Sequence, residues 1–366
     1  CDYDRSSEFY CPVVTVGGSY PGVLSALLRL VHPDLVDIGY ASSAPLVMHA
    51  QRANQNAFYD IVTKTAEHLS PGCENAVRPA LEEADALIRK MPSVEAAARN
   101  MNVCADSVPE YISNVDTLAN DVMMAIGFTF ADYDMGAYPP SEDLSLYKAC
   151  RVFQDDEDEE DASSGSSLER VANFFRLLKD VGSEEEFPGL KDRECFDLSV
   201  FLPDGDNPRI ATSDWTGAGG GNDGMMWDFQ LCTTLVVPVG FSEESMFPTK
   251  RWTMEDLTRY CRLRYGEDIG KPRPFALVEE LGFDDLVGRN ASRILFTNGM
   301  RDLWSGGSYL EDQSDSILAL NFENGAHHSD LTHGGPSEND TADIKEGFVT
   351  ITSILQKWLD EIRVEN

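Results

Sequence analysis

The sequence predicts an α/β fold, a parallel sheet split by a long helical insertion. Three observations predict it: a β-branched run entering a glycine pair, a serine and an apolar helix at 13–31; helical periodicity from about 46 to 200; and strand-like runs that return after a glycine-rich connection at 217–222. With 366 residues and 42% hydrophobic content, the chain can bury one large core or two ordinary ones.

Taken in order, Val13-Val14-Thr15-Val16 has the composition of a buried parallel strand. Gly17-Gly18-Ser19-Tyr20-Pro21-Gly22 then reads as a nucleophile elbow, a strained strand-to-helix turn that holds a serine hydroxyl out and needs small neighbours. Pro21 stands where the usual pattern has glycine, although proline is tolerated in a first helical turn. Val23, Leu24, Leu27, Leu28, Leu30 and Val31 give the next segment an apolar helical face, and Pro33 stops it. Residues 35–41 form the second expected strand, before Ser42-Ser43-Ala44-Pro45. Segments 56–68, 76–91, 93–101 and 109–126 carry apolar residues at spacings of three and four. Seven consecutive acids at 155–161, followed by a serine-rich stretch to 167, repel one another and read as a solvated loop; the spacing of an EF-hand is absent. Residues 233–239 and 292–297 are the later expected strands, and 341–363 has the pattern of a closing amphipathic helix with Phe348, Ile351, Ile354, Leu355 and Leu359 inside.

The charge is lopsided, 63 acidic residues against 29 basic ones, for a formal net charge of -34. That argues against a nucleic-acid partner, whose phosphates need clustered Lys and Arg. The surplus is compatible with an acidic compartment, where protonated carboxylates repel less, and equally with simple solubility. Eight widely spaced cysteines, at 1, 11, 73, 104, 150, 195, 232 and 261, suit disulfides in an oxidising compartment rather than zinc ribbons. Sequons at Asn290 and Asn339 agree with secretion. No run reaches the length of a membrane span, and no signal peptide is visible.

A serine nucleophile needs a base within reach, usually a histidine held by a carboxylate. Of six histidines, His32, His49 and His68 read as surface or packing residues, while His327, His328 and His333 cluster late in the chain. Asp302 follows the expected strand ending at Thr297, so the order Ser19, Asp302, His327 fits an α/β-hydrolase sheet. Two other readings stand beside it: Asp302 as a turn-capping carboxylate, and His327, His328, Asp330 and His333 as a metal-ligand set.

With these residues in hand, a resemblance emerges. Gly17-Gly18-Ser19-Tyr20, Ala41-Ser42-Ser43-Ala44-Pro45, Trp227-Asp228-Phe229-Gln230-Leu231-Cys232-Thr233, Phe296-Thr297-Asn298-Gly299 with Asp302 and Trp304, Ser305-Gly306-Gly307, and Gly325-Ala326-His327-His328 with Asp330-Leu331 are, in order, similar to motifs of one serine peptidase family. That family contains lysosomal prolyl carboxypeptidase, dipeptidyl peptidase II and thymus-specific serine protease. The resemblance implies an α/β-hydrolase fold in two parts, 1–46 and 206–366, around a helical cap domain at 47–205 that includes the acidic loop. It implies cleavage of peptides after proline or a similar small residue at mildly acidic pH, in a secreted or lysosomal lumen, with no cofactor and no metal. Ser19 would be the nucleophile, His327 the base, Asp302 its orienting acid and the Tyr20 N–H an oxyanion donor. Trp304, Gln230, Val237 and His328 would line the substrate pocket. The cysteine placement resembles the family pairs Cys73 with Cys150, Cys104 with Cys195 and Cys232 with Cys261, while Cys1 and Cys11 have no assured partners.

Pro21, Leu303, Thr234 and Thr332 depart from the family pattern, which usually has glycine, proline, glutamate and arginine there. The family also places several strands before the elbow, whereas eighteen residues precede Ser19 here. The elbow strand is therefore expected to lack a neighbour on one side. A preceding segment present as a separate chain, or a homodimer, would complete it. The alternatives to a peptidase are an inactive α/β-hydrolase-like subunit that binds or supports another protein, and another hydrolase, such as an esterase, on the same triad.

Overall fold

The computed structural model describes residues 2, 4–7, 9–108, 112–154, 165–181, 192–197, 221–332 and 335–365. The acid run at 155–161, the glycines at 217–220, Cys1 and His333 lie outside the described residues. In chain order the elements are β1 (Val14–Gly18), α1 (Tyr20–Val31), β2 (Ile38–Ser42), α2 (Leu46–His49), α3 (Ala57–Leu69), α4 (Cys73–Ile88), α5 (Val94–Asn100), α6 (Val115–Met135), α7 (Ser145–Phe153), α8 (Ser167–Val181), α9 (Gly221–Leu231), α10 (Met254–Ile269), α11 (Ala276–Leu281), β3 (Ile294–Gly299), β4 (Ile317–Phe322) and α12 (Ala342–Glu365). They fall into two compact units, 1–58 with 137–140 and 274–366, and 59–136 with 141–273.

The first unit is built on a parallel sheet of order β1-β2-β3-β4. Parallel strands need helical crossovers, and α1 supplies the one between β1 and β2. One face carries Val23, Ala26 and Leu30 of α1 with Ala41, Ile294 and Phe296; the other carries Ile38, Tyr40 and Leu295 against Ile344, Ile351 and Trp358 of α12. β2 and β3, covered on both faces, are buried throughout. β1 is not. Among the described residues it pairs only with β2, Val16 is 55% exposed, and Leu24, Leu28 and Val31 of the expected apolar face of α1 are exposed too. A strand at a sheet edge has one covered flank, so the burial expected from β-branched composition is only partly realised.

Two further expectations are corrected. β4 was not anticipated between Asp302 and the histidines, although Ile317-Leu318-Ala319-Leu320-Asn321-Phe322 is apolar at five of six positions; Ile317 and Phe322 are buried, and among the described residues the strand pairs with β3 alone. Residues 233–239 are not a strand. They run irregularly through the second unit with Leu235, Val236, Val237 and Val239 buried, so the apolar run serves a helical core, and Pro238 has no N–H to give a ladder.

The second unit is helical. Its core stacks aromatic rings: Phe130 lies 5.5 Å from Phe174 and 5.7 Å from Phe247, and Tyr59 lies 4.4 Å from Phe241. Disulfides Cys73–Cys150, Cys104–Cys195 and Cys232–Cys261 form as the resemblance implied, the first joining α4 to α7. Cys11 of the first unit is disulfide-bonded as well, so it does not lack a partner.

Candidate active site

The chemistry-bearing residues of the first unit gather at the carboxyl ends of the strands, where the chain leaves a parallel sheet. Ser19 follows β1 directly and begins α1. Its φ of 61° and ψ of -133° lie in a region that non-glycine residues avoid, at a cost of about 1–3 kcal/mol. The geometry of an elbow is thus present. Its N–H donates to the Ser42 carbonyl at 2.8 Å, fastening the turn to the end of β2. Pro21 sits in the first turn of α1 with its ring exposed, so the close approach falls on the next residue: a Cβ at Gly22 would lie 2.8 Å from the Ser42 oxygen.

Asp302 caps the short 3-10 helix Leu303–Gly307 through an Oδ1 bond from the Trp304 N–H at 3.0 Å. The turn-capping reading of Asp302 therefore holds, and the same carboxylate has a second partner. The other oxygen, Oδ2, lies 2.9 Å from His327 Nδ1, with Asp302 fully buried and His327 nearly so. A carboxylate only accepts, so the ring proton belongs on Nδ1 and Nε2 is left as an acceptor. His328 follows with a φ of 38°, its ring 4.4 Å from that of His327. Its N–H donates to Ser43 Oγ at 2.8 Å, and a Cβ on Gly18 would come within 3.0 Å of its side chain. The elbow and the histidine turn are thus packed against one another. Burial, and then the neighbouring His327, hold the His328 imidazole below its ordinary range.

Trp304 is buried, its ring 5.0 Å from Phe58 in an edge-to-face contact. Gln230, half-buried at the end of α9, and the buried Val237 belong to the second unit. Asn290 and Asn339 are both exposed in turns. His32 and His68 are exposed and His49 is buried, as a surface or packing role requires.

Sequence reasoning missed what holds the histidine turn. Asp330, read there as one of a metal set, accepts hydroxyl bonds instead: from Tyr40 and Thr297 (2.6 Å) on Oδ2, and from Ser42 on Oδ1 at 2.6 Å. Burial first, then the Asp330 carboxylate, push the Tyr40 phenol well up. A signal for this existed: Tyr40 and Ser42 are two apart on a buried strand, which puts two polar groups on one face.

A parallel sheet that presents a strained serine and a buried Asp–His pair at the carboxyl ends of its strands is the arrangement of an α/β serine hydrolase. The family follows. The chain belongs to the serine carboxypeptidase S28 family, whose model matches residues 5–347. It is 25% identical over 321 residues to lysosomal Pro-X carboxypeptidase of Mus musculus, covering 87% of this chain and 59% of the relative. It is 27% identical over 371 residues to prolyl carboxy peptidase like protein 5 of Caenorhabditis elegans, covering 95% and 66%. To thymus-specific serine protease of Mus musculus it is 23% identical over 367 residues, covering 96% and 65%. The chain thus spans 59% of the length of the first of these relatives and no more than 66% of the others.

Proposed function

We propose that this chain carries the catalytic triad of a serine exopeptidase, with Ser19 as nucleophile, His327 as base and Asp302 as the acid that orients it. In this reading His327 Nε2 takes the Ser19 hydroxyl proton as Oγ bonds to the scissile carbonyl carbon. The oxyanion is met by the Tyr20 N–H, a donor of a kind that contributes about 3 kcal/mol to the transition state. His327 then returns the proton to the leaving amine, and water releases the acyl group by the same steps in reverse. The observation that carries the reading is the 2.9 Å Asp302–His327 bond on a turn packed against the strained Ser19 elbow.

Trp304 and His328 are the substrate-contacting residues of the first unit in this reading, and the helical unit is what the family resemblance implies as a cap domain. The relatives' names support peptides cut beside proline and a lysosomal residence; activity at mildly acidic pH and a secreted form are part of this proposal. The disulfides and the exposed sequon residues Asn290 and Asn339, proposed as glycosylation sites, accord with such a lumen. The open side of β1, with Val16 55% exposed, is assigned to further polypeptide, as a separate chain or a second copy. Sedimentation over a range of concentrations tests that assignment, a strictly monomeric species with full activity overturning it.

A fluorophosphonate probe followed by mass spectrometry tests the nucleophile. Labelling at Ser19 that is lost in Ser19→Ala supports it, and an absence of labelling between pH 4 and 8 leaves the inactive-subunit reading standing instead. Proline-containing peptides blocked at one end or the other then separate carboxypeptidase from dipeptidyl peptidase action.

A further inference from the structure

The turn that carries His327 is irregular, and His328 within it holds a backbone conformation that L residues rarely adopt. Such a conformation persists only where the surroundings over-determine it. Three strained non-glycine residues meet here: Ser19, Ser43 and His328. They are joined through one dipeptide at the end of β2. The Ser42 carbonyl receives the Ser19 N–H at 2.8 Å, and the Ser43 hydroxyl receives the His328 N–H at 2.8 Å. Ser43 is itself tied to β3, its N–H donating to the Thr297 carbonyl at 2.7 Å. Asp330, 4% exposed, closes the arrangement, because the side chains of Ser42 and Thr297, register partners on adjacent strands, both donate to it along with Tyr40.

We propose that Asp330 is a positioning residue for the base: its carboxylate gathers three strand hydroxyls and so locks the His327–His328 turn to the same dipeptide that holds the nucleophile turn. The inference rests on the triad reading above. Hydroxyl bonds to a carboxylate are charge-assisted and short, and a buried carboxylate keeps its charge only when satisfied in this way, so turn and strand ends move as one body. The Ser19–His327 relation is then set by Ser42 and Ser43 rather than by the length of the loops. Asp302 orients the ring; Asp330 fixes where the ring stands.

The test is the second-order rate of fluorophosphonate labelling at Ser19, per folded molecule, across pH. Asp330→Ala is expected to lower it about 100-fold, the loss typical of a reacting group displaced by an ångström, and to abolish the histidine inflection of the wild-type profile. Asp302 and His328, the other titratable groups facing His327, remain in both proteins. Asp330→Asn keeps the shape and two acceptor bonds and is expected to recover most of the rate. Asp37→Asn is the control: that carboxylate, bonded by the Tyr10 hydroxyl and the Val13 N–H, precedes β2 at the far end of the sheet and should leave the labelling rate unchanged. Should Asp330→Ala not fold, Ser42→Ala and Thr297→Val each remove one of the three bonds and are expected to slow labelling severalfold. Wild-type rate and profile in Asp330→Ala, or in both single-hydroxyl variants, overturn the proposal. A wild-type protein that is not labelled at all brings down the triad reading first, and this inference with it.

Discussion

Asp302 Oδ2 and His327 Nδ1 lie 2.9 Å apart, both side chains buried, on loops that follow β3 and β4. The pair sets the tautomer of the ring, and a change that keeps its shape but reverses the hydrogen bond should be costly. Asp302→Asn is expected to slow Ser19 labelling by about 10⁴-fold while leaving the near-UV circular dichroism unchanged, because an amide favours the wrong tautomer. A loss below tenfold would show that the imidazole is oriented by something else.

Gly22 tests the elbow from the other side. Glycine to alanine inside a helix ordinarily stabilises by about 0.4–1 kcal/mol. At this position the new Cβ would meet the Ser42 carbonyl oxygen at 2.8 Å, and backbone cannot swing away as a side chain would. Gly22→Ala is therefore expected to destabilise by about 1–3 kcal/mol in urea, and to slow labelling because Ser42 also holds the Ser19 N–H.

The neighbouring departure from the family pattern should matter far less. Pro21 is exposed in the first helical turn, where its missing N–H is no loss. Pro21→Gly is expected to cost about 0.4–1 kcal/mol through the unfolded chain and to change the labelling rate less than twofold.

Two histidines should make the fold acid-sensitive. Burial takes His49 from the ordinary 6.5 down to about 4, and burial with His327 lowers His328. Both folded values lie below the unfolded one, so the unfolded chain binds more protons as pH falls. The His49 contribution is complete above pH 6.5 and is lost as the pH drops toward 4, and that of His328 falls in the same direction. The melting temperature of His49→Gln should fall less steeply across that interval than that of the wild type. Parallel curves would mean that His49 does not titrate there.

In the helical unit, Cys73–Cys150 closes a sequence separation of 77 residues between two buried positions. Replacing both by alanine is expected to lower stability by about 2–5 kcal/mol, read as a lower denaturation midpoint. An unchanged midpoint would place the stability of this unit in its aromatic core alone.

Local chemistry was legible in the sequence. The elbow could be read because β-branched residues, two glycines, a serine and a helical period fall within twenty consecutive positions, and backbone geometry follows from neighbours along the chain. The closing helix was legible for a similar reason, and the disulfide pairs through likeness to a family. Burial and partnership were not. An apolar run such as 233–239 looks the same whether it enters a sheet or a helical core, and only packing decided that it feeds the latter. The β-branched composition of β1 says nothing about whether a neighbour covers Val16. Asp330 shows the division most plainly: its partners are 33 to 290 residues away in sequence, and their convergence depends on the register of β2 against β3. Sequence determined which groups this protein has for its chemistry; only the tertiary structure decided which carboxylate holds the ring and which holds the turn, because a hydrogen bond is settled by distance in space.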